Sequence, residues 1–138
     1  TLESRGLGDV YKRQIKNDAT LVFFESPKRL VKTLSVMQKI YPSHRRAVIC
    51  REMTKKHEEV IRGSISEILS KVSSRDIKGE ICLVIEGDKD LTEPSIDLDN
   101  EIKDLILSKM SPSEAAKLLS SITQQNKRDL YKWLTKKS

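Results

Sequence analysis

A chain of 138 residues with 37% hydrophobic and 33% charged side chains has the size of one modest folded domain, or one with a short appendage. Its longest apolar runs, LVFF and ICLVI, are far too short to cross a bilayer, and no secretory signal stands at its start, so a cytoplasmic setting without a membrane partner is expected. The net charge is +6 and unevenly placed, which leaves a polyanionic partner open.

Residues 1–14, TLESRGLGDVYKRQ, show no sustained period and resemble a translated adapter scar. They are read as non-native and set apart from the fold, which implies a natural protein that continues upstream. Leu21–Glu25 then reads as a strand rich in Val and Phe. Ser26 is placed to cap a helix with Pro27 at its first position, where no N–H is needed. Leu30, Val31, Leu34, Met37 and Tyr41 share one helical face, and Pro42 ends the run.

Ala47–Arg51 reads as a second strand and Glu58–Arg62 as a short third one leading to Gly63. Ser64 and Glu67 have capping-box spacing ahead of a helix through Ile68, Leu69 and Val72. Glu80–Ile85 is apolar on both faces and therefore expected at the centre of a sheet. The acidic stretch over 88–100 reads as a linker. Three helices follow: Glu101–Lys109, one opened by Ser111-Pro112-Ser113-Glu114, and Lys127–Lys137 with Leu130, Tyr131, Trp133 and Leu134. Cys50 and Cys82 sit inside predicted strands without CxxC spacing or a histidine set, so both are expected as small core residues and no metal site is expected.

Three polar segments stand where strands end, and in an α/β sheet ligands bind beyond the carboxyl ends of strands. ESPKR (Glu25–Arg29) opens a helix N-terminus that favours an anion or polar ligand, or is simply a capped helix start with exposed Lys28 and Arg29. REMTKKHEE (Arg51–Glu59) carries charged pairs that burial in a cleft would perturb, or is a solvated loop. Glu86-Gly87 permits close backbone approach to a ligand, or makes a tight turn. Between Ser26 and Arg62 ten Lys or Arg face three acids, whereas Asp88–Asp104 holds seven acids and two Lys. The last helix concentrates Lys127, Arg128 and Lys132, suited to phosphate contact, or forms half of a structural helical cap.

Taken together, FESPKRL, REMTKKHEE, Arg62-Gly63 and the stretch from Gly79-Glu80 to Glu86-Gly87 resemble the C-terminal part of the tetrapyrrole-methylase superfamily. The likeness is greatest to its branch that 2′-O-methylates a cytidine of small-subunit ribosomal RNA. It runs from about Ile15 to the end, with Lys28 standing where that branch usually has His. The resemblance implies an α/β fold with a mixed sheet and flanking helices over 15–95, and a helical extension over 96–138. It implies S-adenosylmethionine as cofactor, touched by Ser26, Pro27, Met53, Thr54, Glu86 and Gly87. Small-subunit ribosomal RNA or the assembled subunit would be the partner, contacted by Lys28, Arg29, Arg51, Arg62, Lys127, Arg128 and Lys132. A homodimer is also implied. Glu25 and Glu52 are the carboxylates first suspected of assisting the hydroxyl nucleophile, with Lys55 as electrostatic support. Because the glycine-rich N-terminal half of that family has no counterpart here, the chain alone is expected to be inactive. Two other readings compete: a corrin- or diphthine-type small-molecule methylase half, and a non-enzymatic nucleic-acid-binding module built on the helical tail.

Overall fold

The computed structural model describes residues 19–87, 98–123 and 125–137. The suspected scar over 1–14 and most of the acidic connector, 88–97, lie outside the described residues. The chain orders itself as β1 (Leu21–Glu25), α1 (Pro27–Ile40), β2 (Arg46–Arg51), β3 (Glu59–Ser64), α2 (Ile65–Ser73), β4 (Ile81–Ile85), α3 (Asn100–Lys109), α4 (Pro112–Thr123) and α5 (Lys127–Thr135). The expected α/β class holds.

Local chemistry explains the helix starts. Ser26 Oγ accepts from Arg29 N at 3.3 Å with Pro27 at N1, and α1 stops at Tyr41, before Pro42. Ser64 and Glu67 close the expected capping box of α2. Ser111 and Glu114 close another ahead of α4, with Glu114 N donating to Ser111 Oγ at 3.2 Å and Ser111 N to Glu114 Oε1 at 3.3 Å. Each box satisfies N–H groups that no intrahelical carbonyl can reach.

The four described strands form one sheet in the order β1-β4-β2-β3, and every described pair is antiparallel. This corrects the expected mixed sheet: β1 and β2 do run parallel, but β4 lies between them and pairs antiparallel with both. The central place expected for the Glu80–Ile85 run is realised.

One face of the sheet is covered. Ala47, Ile49, Ile61, Ile81, Leu83 and Ile85 are buried in the same apolar cluster as Leu30, Leu34 and Met37 of α1 and Ile65, Ile68 and Val72 of α2. Fully burying one such side chain contributes roughly 1.5–3 kcal/mol. The cluster continues through Ile106 of α3, Leu119 and Ile122 of α4, and Leu130, Trp133 and Leu134 of α5. Lys32 of α1 and Glu114 of α4 pair at 2.9 Å across that junction. The helical tail therefore shares its core with the α/β layer.

Among the described residues no helix covers the other face. Its side chains line up in two cross-strand rows, Phe24–Cys82–Cys50–Val60 and Val22–Val84–Val48–Arg62. Phe24 is 86% exposed and Val22 56%. One expectation is corrected here: Cys50 and Cys82 are half-exposed on the open face instead of lying in the core. A run apolar at every position has no alternation to reveal which face the helices will take.

Candidate functional site

Strand direction decides which polar segments meet. Because β4 runs opposite to β1 and β2, its amino end stands beside their carboxyl ends: Glu25 and Arg51 both lie in register with Ile81. Leu21 and Ala47, at the starts of β1 and β2, lie in register with Ile85. The segments ESPKR and REMTKK therefore converge with Gly79-Glu80. Glu86 and Gly87 fall at the opposite end of the sheet, with Glu86 about 20 Å from Glu80 along β4 at the usual rise per residue. There Glu86 N donates to Arg46 O at 3.0 Å, and buried Arg45 donates to Glu86 O at 3.2 Å while stacking 5.0 Å from the Tyr41 ring. The expectation that all three strand ends share one cleft is thus corrected: it took β4 to run with its neighbours.

At the converging end a cavity of about 440 Å³ opens between β1, β2 and β4, within the size range of small-ligand pockets. Phe24, Met53, Ile81, Cys50 and Cys82 make its apolar walls, and Glu25, Ser26, Arg29 and Glu80 its polar ones. Of the residues expected from sequence, Glu25, Ser26, Arg29 and Met53 line it. Pro27 and Lys28 turn away, lining a separate cavity with Val72, Arg75 and Asp76. Phe24, Ile81 and the two cysteines were not anticipated there, since each reads as an ordinary apolar strand residue.

Glu25 is a saturated anchor. Its Oε1 accepts from Ser26 N at 3.0 Å and Arg29 Nε at 2.8 Å, and its Oε2 accepts from the buried Thr33 hydroxyl at 2.9 Å. The carboxylate thereby fixes the start of α1 and aims Arg29 at the cavity wall, while the hydrogen bond and charge of Glu25 push the Arg29 pKa up.

The loop after β2 is equally knitted. Glu52 and Thr54 both adopt left-handed φ, at 52° and 65°, a conformation uncommon outside glycine. Glu52 N donates to Glu80 O at 2.9 Å, and Lys55 Nζ bridges Glu52 Oε2 at 3.1 Å and Glu80 Oε2 at 3.2 Å. The Lys55 hydrogen bond and the Glu80 N–H hold the Glu52 carboxyl below the usual carboxylate range. Lys55 is correspondingly pushed up by Glu52 and then Glu80. Glu52 and Lys55 thus meet at the rim of the cavity through Glu80, and Thr54 lies beyond them on the exposed turn.

Arg51 serves its own chain, donating to Glu59 Oε1 at 3.2 Å, to Lys78 O at 3.2 Å and to His57 O at 3.1 Å. Arg62 stands exposed on the open sheet face, away from the cavity. Lys127, Arg128 and Lys132 are brought together on α5, where with Tyr131, Ser113 and Ala116 they line a shallow groove. Among the described residues no group of three or more His, Cys, Asp or Glu could hold a metal ion, and no helix is long and apolar enough to cross a membrane.

No protein-family model matches the chain. Among curated proteins, it is 47% identical over 72 residues to ribosomal RNA small subunit methyltransferase I of Bacillus subtilis, covering 52% of this chain and 24% of that protein. It is 37% identical over 119 residues to the protein of the same name from Halalkalibacterium halodurans, covering 82% of this chain and 41% of that one. The Synechocystis protein of that name is 31% identical over 119 residues, covering 84% of this chain and 43% of its own length. The chain thus spans less than half the length of these relatives. It belongs to the family of ribosomal RNA small subunit methyltransferase I.

Proposed function

We propose that this chain is the C-terminal part of an S-adenosylmethionine-dependent methyltransferase that modifies a cytidine 2′-hydroxyl of small-subunit ribosomal RNA. The observation that carries the reading is the cavity at the converging strand ends, built from the same segments that bear the family resemblance: Phe24 to Arg29, the loop from Arg51, and Glu80 to Cys82. The names of the relatives supply the reaction class and the RNA.

The cofactor's chemistry fits what lines this wall. Phe24, Met53 and Ile81 offer the apolar contact that a purine needs. Ser26 and Glu80 offer polar contacts to hydroxyl or ammonium groups at its edge. When bound, S-adenosylmethionine supplies an electrophilic methyl group. The chain's part in the proposal is to bind and orient, and alignment of two held reactants is worth about 7–11 kcal/mol. Glu25 positions Arg29 and Ser26 in the wall, Lys55 with Glu52 and Glu80 shapes the rim, and Lys28, Arg29 and the α5 cluster supply charge for RNA phosphates. The proposal includes a homodimeric whole enzyme.

The test joins this chain to the portion of the Halalkalibacterium relative that it lacks. Methyl transfer from labelled cofactor is then measured on small ribosomal subunits and on deproteinised small-subunit RNA, with light scattering for the oligomeric state. Label on a cytidine ribose is expected. A folded chimera that transfers nothing, or that labels a base, overturns the reading. The chain alone should bind S-adenosylmethionine weakly or not at all by calorimetry, and micromolar affinity would contradict a half-cleft.

A further inference from the structure

Cys50 of β2 and Cys82 of β4 lie directly opposite one another in the two central strands. Hydrogen bonds at both ends of this ladder identify the class of the pair. Glu86 N donates to Arg46 O at 3.0 Å, and Glu52 N donates to Glu80 O at 2.9 Å. In antiparallel strands hydrogen-bonded pairs recur every second residue, so the pair at Cys50 belongs with those at Arg46 and Glu52. Opposed residues of that class stand about 5.5 Å apart at Cα, inside the span that a disulfide bridges. Directly opposed side chains leave the sheet on the same side, and here that is the face that none of the described helices covers. Both thiols are half-exposed and both line the cavity.

We propose that Cys50 and Cys82 are a reversible modification site, a dithiol that a small-molecule disulfide of the glutathione class closes into a cross-strand bond. The Cys50 thiolate attacks one sulfur of the oxidant, whose S–S bond breaks and releases one thiol. The Cys82 thiolate then attacks the Cys50 sulfur of the mixed disulfide, and the second thiol leaves. In sum the protein gives up two protons and two electrons, and one disulfide becomes two thiols. Burial, and then the neighbouring Cys50, push the Cys82 thiol up, which makes Cys82 the poorer first nucleophile and leaves it the second step, where proximity within the chain drives the attack. Opposed side chains of the hydrogen-bonded class stand farther apart at Cβ than most disulfides allow, so closure must draw the two strands together locally and the closed bond is strained and easily reduced. The site does not depend on what the cavity binds.

The experiment treats the full chain with oxidised glutathione at neutral pH, then measures intact mass, free thiols and non-reduced peptide maps. The expected product has lost two hydrogens, carries no glutathione, yields one linked peptide holding Cys50 and Cys82, and reverts with dithiothreitol. Cys50→Ser and Cys82→Ser should each abolish closure and leave one glutathione on the remaining thiol. Two glutathiones per wild-type chain without a closed form, two thiols that stay free, or bonds between chains would each overturn the proposal.

Discussion

The Thr33 hydroxyl donates to Glu25 Oε2 at 2.9 Å, tying the end of β1 to the second turn of α1. Thr33 is 3% exposed, so this is a buried polar contact whose loss leaves a carboxylate oxygen short of a partner. Thr33→Val keeps the shape and removes the donor, and it should cost about 1–2 kcal/mol in urea unfolding with an unchanged m-value. Glu25→Ala orphans three donors and should cost more. In the joined enzyme the pair also separates two roles for Glu25. A turnover loss shared by Thr33→Val and Glu25→Ala means that Glu25 acts by positioning Arg29 and Ser26. A loss confined to Glu25 variants means that its carboxylate acts on the reaction.

Gly79 holds φ at +98°, and a Cβ there would lie 2.7 Å from the Glu52 side chain. Gly79→Ala therefore strains the backbone and evicts Glu52 from Lys55 and the Glu80 N–H together. We expect a loss of about 1–2 kcal/mol from the left-handed backbone alone. The crowding part should be relieved when Glu52→Ala is added, leaving the double variant more stable than the sum of the singles predicts. Simple additivity would show that Glu52 swings aside freely and that the rim is not held together.

Glu59 accepts from Arg75 at 2.8 and 3.0 Å and from Arg51 at 3.2 Å, bracing β3 against the end of α2 and the end of β2. Arg75 first, and then Arg51, hold its carboxyl below the usual carboxylate range. A folded-state pKa below the unfolded value means stability that is fully present above the unfolded value, near 4.3, and lost as pH falls through the lower folded one. Wild type should thus exceed Glu59→Gln in melting temperature at neutral pH, and the gap should shrink as pH drops below about 4. Glu52 and Glu114 titrate in the same direction but are common to both proteins. A gap that stays constant across this range would show that the Arg75 pair contributes nothing through its charge.

What was legible in the sequence is what local chemistry decides. Ser26-Pro27, Ser64 with Glu67 and Ser111 with Glu114 each place a helix start within a few residues, because the capping side chain and its backbone partner are neighbours in the chain. Position within the sheet was legible only in part. ICLVI is apolar throughout and does lie between two strands, yet nothing in it tells strand direction, so Glu86-Gly87 was expected beside Glu25 when Gly79-Glu80 stands there instead. Nor can apolar residues at every position tell which face helices cover. Cys50 and Cys82 read as core for that reason and turned out to face the cavity. The bonds that employ Glu25, Arg51 and Glu52 join residues up to 28 positions apart, and composition alone cannot distinguish such anchors from free catalytic groups.

The basic cluster on α5 carries the remaining prediction. Lys127, Arg128 and Lys132 are exposed along one groove with Tyr131, which is 44% exposed, while Leu130, Trp133 and Leu134 of the same helix are buried. Packing and charge thus occupy different faces, so charge can be removed without touching the core. In the joined enzyme, changing all three to Gln should weaken RNA binding and flatten its salt dependence by roughly 2–3 in log–log slope, at about 0.7–0.9 per phosphate contact. Melting temperature should hold, because none of the three packs inward. Cofactor affinity should hold as well, because the groove shares no residue with the cavity between β1, β2 and β4. RNA affinity measured at several salt concentrations for both proteins decides the matter: a parental slope in the triple variant would leave α5 as a structural cap and take it off the RNA-binding surface.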